Sequence, residues 1–144
     1  MTRVRCLESR DRMVWQELFS QYNRFYRAVV PDDVRDLNFG RLCEGDVLVG
    51  IVAVDEADRP IGLMHLVFHP STWSAGNYCY IEDLFVERVR RGGNVAHALF
   101  TEAYRIADER GVERVYWLTQ EFNAPARSLY DTIGRRTSFI VYQR

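Results

Sequence analysis

A strand–turn–helix unit over residues 78–107 constrains the fold more than any other feature of the chain. Residues 78–86 form a mostly apolar run of strand length. Residues 95–110 repeat apolar side chains at three- and four-residue intervals, the spacing of one buried helix face. A further strand-like run, residues 115–119, follows. A strand, a crossover helix and a second strand of one sheet form a parallel, right-handed unit, so the sequence predicts a sheet covered by a helix.

The rest of the chain adds hairpins and helices around this unit. Strands are predicted at residues 4–7, 47–54, 61–68, 78–86, 115–119 and 138–142, and helices at residues 11–27, 31–44, 95–110 and 124–133. The element order is β α α β β β α β α β. Because hairpins precede the crossover, the sheet is mixed and the predicted fold class is α+β (α/β mixed). No linker or low-complexity stretch interrupts residues 1–144, so we expect a single domain.

Composition narrows the classes of function. The formal net charge of −1 gives no basic excess for holding nucleic acid by bulk electrostatics. The first residues contain no apolar leader, and nowhere do roughly eighteen apolar residues run together, so we expect no membrane segment. The three cysteines, Cys6, Cys43 and Cys79, are odd in number and lack metal-ligand spacing. This pattern favours a reducing cytoplasm and no metal site.

The turn of the strand–turn–helix unit has the features of a phosphate-binding site. Gly92 and Gly93 permit backbone conformations and close approaches that a Cβ would forbid, and Asn94 tolerates a left-handed conformation. The amides of residues 92–96 then face outward at a helix N-terminus, where the helix dipole is positive. Full positive charges beside them come from three arginines, Arg88, Arg90 and Arg91. A pyrophosphate would be well held there; the alternative is a solvated basic connection that only turns the chain.

The segment Arg91-Gly92-Gly93-Asn94-Val95-Ala96 resembles the R-x-x-G-x-G/A motif of the GNAT superfamily of N-acetyltransferases, which binds the pyrophosphate of acyl-CoA. Asn94 stands where the family has a glycine. Residues 78–86 resemble the family's fourth strand, and residues 116–119 and 121–131 resemble its fifth strand and fourth helix. The nearest likeness is to the diamine, polyamine and histone-type acetyltransferases. The resemblance implies a GNAT fold, a twisted mixed sheet whose fourth and fifth strands splay apart.

The resemblance also implies that acetyl-CoA is the cosubstrate. In the family, the backbone of the fourth strand pairs with the pantetheine arm, and the turn after it binds the pyrophosphate. Carried over to this sequence, the expected cofactor-binding residues are Leu84, Phe85, Val86, Arg91, Gly92, Gly93, Asn94, Val95, Ala96, Asn123 and Arg127.

Acetyl transfer to an amine needs a base and an acid, because the amine must lose a proton before attack and the departing thiolate gains one. Tyr130 is the predicted acid, since it shares a helical face with Asn123 and Arg127 opposite the apolar face. The family resemblance places it beside the thioester sulfur. Glu82 is the predicted base, acting through water. Glu82 and Asp83 are adjacent in a strand and are expected on opposite sheet faces, one toward the cleft. The alternative is that all of these residues are structural.

We therefore predict an N-acetyltransferase that moves an acetyl group from acetyl-CoA to a primary amine by direct transfer in a ternary complex. The acceptor would be a polyamine, a diamine, an amino acid or a lysine-like amine. The alternative, suggested by Asn94, is a catalytically weak CoA-binding regulatory or interaction module. The expected substrate-binding residues are Asp83, Tyr26, Trp73 and Tyr78. Negative charge for a cationic acceptor is expected from Asp32, Asp33, Asp36, Glu44 and Asp46.

The predicted last strand, residues 138–142, leaves an exposed sheet edge that invites pairing with another chain. We therefore expect a homodimer joined through sheet edges or C-terminal strands. The other expected partner is a small-molecule amine or lysine-like acceptor, with neither nucleic acid nor membrane.

Overall fold

The computed structural model describes residues 2–144, and its five strands form one open sheet. The strands are β1 (Arg3–Cys6), β2 (Leu48–Val54), β3 (Pro60–Pro70), β4 (Asn77–Val86) and β5 (Val115–Trp117). They lie in the sheet in chain order; β1 to β4 are antiparallel neighbours, and β5 runs parallel to β4. The predicted mixed sheet with a parallel crossover is confirmed.

Within the same residues, four α-helices connect and cover the strands. They are α1 (Arg12–Phe25), α2 (Asp32–Glu44), α3 (Val95–Glu109) and α4 (Ala124–Ile133), with short 3₁₀ turns at Ser9–Asp11 and Arg88–Arg90. Local sequence explains their ends. Gly45 terminates α2 in a left-handed conformation with φ 70°. Asn123 begins α4, and its side chain accepts a hydrogen bond from the Ala126 amide.

Each face of the sheet buries its own apolar cluster. Along β2, Val49, Ile51 and Ala53 belong to one cluster, whereas Val52 and Val54 belong to the other, as strand alternation requires. The first cluster receives α3 through Val95, Leu99, Phe100, Ala103 and Ile106, and α4 packs against it. The second cluster receives α1 and α2 through Trp15, Leu18, Phe39 and Leu42. The sheet is therefore the middle layer between two pairs of helices.

A β-bulge interrupts β4 at Glu82. Leu66 pairs with Ile81 and His65 pairs with Asp83, so Glu82 is the extra residue of β4. Because a bulge breaks the two-residue alternation of a strand, consecutive side chains can share one face. Glu82 and Asp83 both lie on the face covered by α1 and α2. The prediction that these two carboxylates point to opposite faces is therefore wrong.

The predicted strand over residues 138–142 is also wrong, since none of these residues is in a strand. The segment after α4 is solvated, with Phe139, Ile140, Val141 and Tyr142 between 68% and 89% exposed. A strand needs an edge to pair with. The neighbouring edge strand, β5, contains only three residues and pairs with β4 on its other side. The edge within this copy is thus too short to hold the segment.

Candidate active site

A cavity of about 440 Å³ opens between α1, α2 and the adjoining parts of β3 and β4. Most of its wall is apolar or aromatic, with Trp15, Phe19 and Tyr22 contributed by α1 and Tyr26 following directly after that helix. Its charged side chains are Arg35 from α2 and the carboxylates Glu82 and Asp83 from β4. A concave, mostly apolar site with a few placed polar groups is typical of small-molecule binding.

Glu82 is the solvent-accessible carboxylate of this cavity. Partial burial raises the pKa of Glu82 above its ordinary value, and the neighbouring Asp83 raises it further, while His65 opposes both effects. A carboxylate with a raised pKa is a stronger base once ionised, so proton removal from an ammonium group is easier than for an ordinary glutamate. The bulge directs this base into the cavity.

Asp83 is held in place by a buried hydrogen-bonded chain. The indole nitrogen of Trp15 donates to Nε2 of His65 over 3.0 Å, and Nδ1 of His65 lies 2.8 Å from an Asp83 carboxylate oxygen. An indole N–H can only donate, so Nε2 accepts and the proton of His65 sits on Nδ1, facing Asp83. This chain ties α1 to β3 and β4 directly beside the bulge, and it fixes the orientation of Asp83.

Two tyrosines at the C-terminal end of α1, Tyr22 and the capping residue Tyr26, line the cavity together with this carboxylate pair. Burial raises the pKa of Tyr22, and the Asp83 carboxylate raises it further, so the phenol stays neutral. Tyr26 packs edge-on against Tyr22, with 5.1 Å between ring centroids, and lines the cavity.

Two of the predicted substrate-binding residues, Trp73 and Tyr78, do not line the cavity. Trp73 is 86% exposed, and the Tyr78 ring lies 4.9 Å from the Arg114 guanidinium. The structure thus brings Tyr26 and Asp83 together with Glu82 but leaves Trp73 and Tyr78 elsewhere.

The pairing of β4 with β5 ends just before the bulge. Its last register pair is Ile81 with Trp117, so Leu84, Phe85 and Val86 lie beyond the parallel ladder. On the opposite edge these residues stay paired with β3. Strand separation of this kind leaves backbone donors and acceptors of β4 facing a gap that an extended ligand could enter.

Arg91 folds back onto this part of β4. Its Nε donates to the Val86 carbonyl oxygen over 3.0 Å, and its guanidinium lies 5.3 Å from the Phe85 ring centroid. These contacts shape the turn and place a positive charge beside the start of α3, where an anionic group would benefit from it.

In the turn before α3, the left-handed backbone conformation that favours glycine occurs at Gly92 and not at Asn94. Gly92 has φ +84°, whereas Asn94 has φ −95° and ψ 10°, which any residue can adopt. The first turn of α3 begins at Asn94, whose carbonyl accepts from the Ala98 amide over 2.9 Å. The amides before Ala98 therefore point out of the helix N-terminus. The Asn94 departure from the glycine pattern introduces no backbone strain.

Tyr130 lies closer to the core than the sequence indicates. Its ring packs edge-on against Phe100 and Trp117, with centroids 5.7 Å and 5.5 Å away. Burial raises the pKa of Tyr130, and the phenol of Tyr26 raises it further. The tyrosine is therefore protonated at neutral pH, and its ring belongs to the packed side of α4.

The other two polar residues of α4 have local partners. Asn123 caps the helix, and Arg127 donates to the Glu121 carbonyl oxygen over 2.6 Å. Both side chains stabilise the start of α4.

Sequence reasoning missed His65 and Arg35 as parts of this site. His65 occurs within an apolar strand, so its position there was a signal of a buried partner. Arg35 lies four and seven residues before Phe39 and Leu42, on the helix face that is buried. The five acidic residues expected to attract a cationic acceptor, Asp32, Asp33, Asp36, Glu44 and Asp46, do not line the cavity.

The described residues, 2–144, contain no group of three or more His, Cys, Asp or Glu side chains that could hold a metal ion. In the same range, no helix combines the length and apolarity needed to cross a membrane.

Comparison with known proteins gives consistent matches. Residues 15–134 match the family described as Acetyltransferase (GNAT) family. The chain is 32% identical over 143 residues to the D-amino-acid N-acetyltransferase HPA3 of Saccharomyces cerevisiae, covering 98% of this chain and 89% of that protein. It is 30% identical over 76 residues to a thialysine N-epsilon-acetyltransferase of Caenorhabditis elegans, covering 53% and 47%. A crystal structure of a probable acetyltransferase superimposes with a TM-score of 0.86 at 25% identity, covering 99% and 96%.

Proposed function

The chain belongs to the GNAT acetyltransferase family, and we propose that it transfers an acetyl group from acetyl-CoA directly to the primary amine of a small acceptor. The observation that carries this proposal is the position of Glu82. It lies on the bulge of β4, beside the point where β4 and β5 separate, and it lines the adjoining cavity. A base is thereby placed where an acceptor cavity meets a strand edge that could bind an extended thioester arm.

The residues present fit acetyl-CoA in two places. The free edge of β4 over Leu84, Phe85 and Val86 offers backbone hydrogen-bonding groups for the pantetheine arm. The turn at Gly92 and the outward-facing amides from Gly93 to Ala96 offer donors for a pyrophosphate, with Arg91 beside them. Asn123 and Arg127 keep their predicted role as cofactor-binding residues in this proposal; they lie at the start of α4, where Asn123 caps the helix and Arg127 donates to the Glu121 carbonyl oxygen.

Proton transfer divides between two side chains. Glu82 removes the proton of the acceptor ammonium, through water, because its raised pKa and its position in the cavity suit a base. Tyr130 stays protonated near neutral pH and donates a proton to the CoA thiolate as it departs. Asp83, fixed by His65, and Tyr26 border the acceptor amine.

The relatives support a small acceptor. One is named for D-amino acids and the other for thialysine, and both names describe small molecules with a primary amine. The cavity of about 440 Å³ is of suitable size for such a molecule.

Assembly and location belong to the same proposal. We expect a homodimer, supported by the exposed apolar segment after α4. The free state of Cys6, Cys43 and Cys79 supports a reducing, cytoplasmic location.

The test is thiol release from acetyl-CoA with a panel of amines, amino acids, diamines and polyamines, with the acetylated product identified by mass spectrometry. Binding of acetyl-CoA is measured in parallel by calorimetry. Turnover of at least one small amine is expected. Tight binding of acetyl-CoA without turnover of any acceptor would instead favour a binding module, and failure to bind acetyl-CoA would reject both readings.

A further inference from the structure

Among residues 2–144, Arg35 is the only arginine that lines the cavity described above. Its side chain is only 15% exposed, and within residues 2–144 its Nε is buried without a hydrogen-bond partner. Buried polar groups in proteins are nearly always hydrogen-bonded, and a guanidinium presents five N–H donors. An unpaired donor of this kind, beside a cavity, indicates that a missing acceptor belongs there.

The ion pair that Arg35 does make is a weak substitute. Its terminal nitrogen lies 3.1 Å from a carboxylate oxygen of Asp32, one turn earlier on α2. The Asp32 side chain is 86% exposed, so water solvates this carboxylate and screens its attraction to Arg35. The Asp32 carboxylate can therefore separate from Arg35 and be solvated by water at a small cost in free energy. The guanidinium is then available to another hydrogen-bond acceptor.

The charges of the cavity are separated between two walls. The positive charge of Arg35 is on α2, whereas the carboxylates of Glu82 and Asp83 are on β4. The rest of the lining is largely apolar and includes Val30, Val34, Leu48 and Val67. A molecule with an ammonium group at one end and a carboxylate at the other matches both walls. A diamine or polyamine would instead bring a second positive charge toward Arg35.

We propose that the acceptor is an amino acid, and that Arg35 determines this specificity by binding its carboxylate while its amine lies toward Glu82. This inference rests on the proposed acetyl transfer. A guanidinium binds a carboxylate with two parallel hydrogen bonds, which adds geometric selectivity to the charge attraction. A site built to pair with a polar group strongly rejects analogues that lack the group, since the protein donor is then left unpaired.

The experiment compares acceptors that share an amine and a side chain but differ in the carboxylate. Free phenylalanine and lysine, in both enantiomers, are compared with their amides and with phenethylamine and 1,5-diaminopentane. For the wild-type protein we expect kcat/KM for an amino acid to exceed that of its amide by about tenfold or more, carried mainly by KM.

Three variants assign this selectivity to Arg35. In Arg35→Gln, KM for the amino acid should rise by about tenfold or more, while kcat/KM for the amide changes little. Arg35→Lys keeps the positive charge but cannot form two parallel hydrogen bonds to a carboxylate, so selectivity for the amino acid should be partly retained. Arg41→Gln, an exposed arginine of the same helix, is the matched control and should behave like the wild type. Circular dichroism checks that each variant is folded.

A fourth variant, Asp32→Asn, leaves Arg35 itself unchanged and removes the carboxylate that competes for it. KM for the amino acid should therefore fall. Equal kcat/KM for amino acid and amide in the wild type, or a selectivity that Arg35→Gln leaves intact, would overturn the inference.

A binding measurement separates this inference from the proposed function. The thermal shift of the CoA-loaded protein is recorded with phenylalanine, its amide and phenethylamine, for wild type and Arg35→Gln. If no acceptor is acetylated, acetyl transfer fails as the function, but a shift produced by the amino acid alone and lost in Arg35→Gln still supports carboxylate binding. An identical shift in both proteins contradicts it.

Discussion

At the scale of single residues, the base assigned to Glu82 predicts a particular pH dependence. Burial and Asp83 raise its pKa above the ordinary value of 4.5. The ionised form is the active base, so kcat/KM should fall as pH drops through this raised pKa and level off above it. In Glu82→Gln we expect a loss of about 10²-fold or more and the disappearance of this acid limb. The measurement is kcat/KM for one amine between acid and neutral pH.

The control for that prediction is Glu102→Gln. Glu102 lies on α3 and pairs with Arg105 at 2.6 Å, away from the cavity. Its pH profile should match that of the wild type. An acid limb that persists unchanged in Glu82→Gln would remove Glu82 from the role of base.

The acid assigned to Tyr130 is tested by a matched pair of tyrosines. Tyr130→Phe removes the phenolic proton but keeps the ring packing against Phe100 and Trp117, so kcat should fall by about 10²-fold or more without a loss of stability. Tyr104→Phe removes a hydroxyl that donates to the Ile133 carbonyl oxygen over 2.7 Å. This control should lose about 1 kcal/mol of stability and keep its kcat. Steady-state kinetics and urea unfolding give both quantities, and equal kcat values in the two variants would reject the acid role.

At the scale of structural elements, the conformation of the turn before α3 depends more on Gly92 than on the neighbouring Gly93. Gly92 has φ +84°, where an L-residue pays a conformational penalty although space for a Cβ is open. Gly92→Ala should therefore cost about 1–2 kcal/mol of stability or shift the turn and raise KM for acetyl-CoA. Gly93→Ala is the stability control, since a Cβ there would lie 3.6 Å from its nearest neighbour. Urea unfolding measures the stability of both variants. An equal loss of stability in the two would contradict a conformational penalty specific to Gly92.

The elements also show what the sequence could and could not predict. Helix α3 and the glycine turn follow from local pattern, because apolar spacing and glycine preferences act within a few residues. The bulge at Glu82 does not, because it is set by the pairing of β4 with β3, including the contact between His65 and Asp83. The conformation of Asn94 depends likewise on how the turn closes onto β4. Local signals thus predicted the four helices and the first five strands but not the absence of a strand at residues 138–142, whereas tertiary pairing decided which carboxylates enter the cavity.

A second glycine shows how packing can fix the end of an element. Gly134 follows α4, and a Cβ at this position would lie 2.7 Å from the Trp117 ring. The chain therefore leaves α4 in close contact with β5, the edge strand of the sheet. The segment that follows Gly134 forms no strand.

At the scale of the whole molecule, the segment after α4 predicts the state of assembly. Phe139, Ile140, Val141 and Tyr142 are consecutive and 86%, 75%, 68% and 89% exposed. A contiguous apolar segment exposed to water favours association with a second copy. We expect light scattering at micromolar concentration to give twice the mass of one chain. Deletion of residues 135–144 should give a monomer.

The folded state of the shortened chain is the necessary control. The deleted residues belong to neither apolar cluster, so circular dichroism and the unfolding midpoint at high dilution should stay close to those of the full chain. Ile140→Asp is a smaller change than the deletion, since one charge within the apolar segment should weaken the dimer without shortening the chain. Thr137→Asp, placed before that segment, is its counterpart and should remain dimeric. A monomeric full-length chain, or a dimer that survives the deletion, would show that this segment does not join two copies.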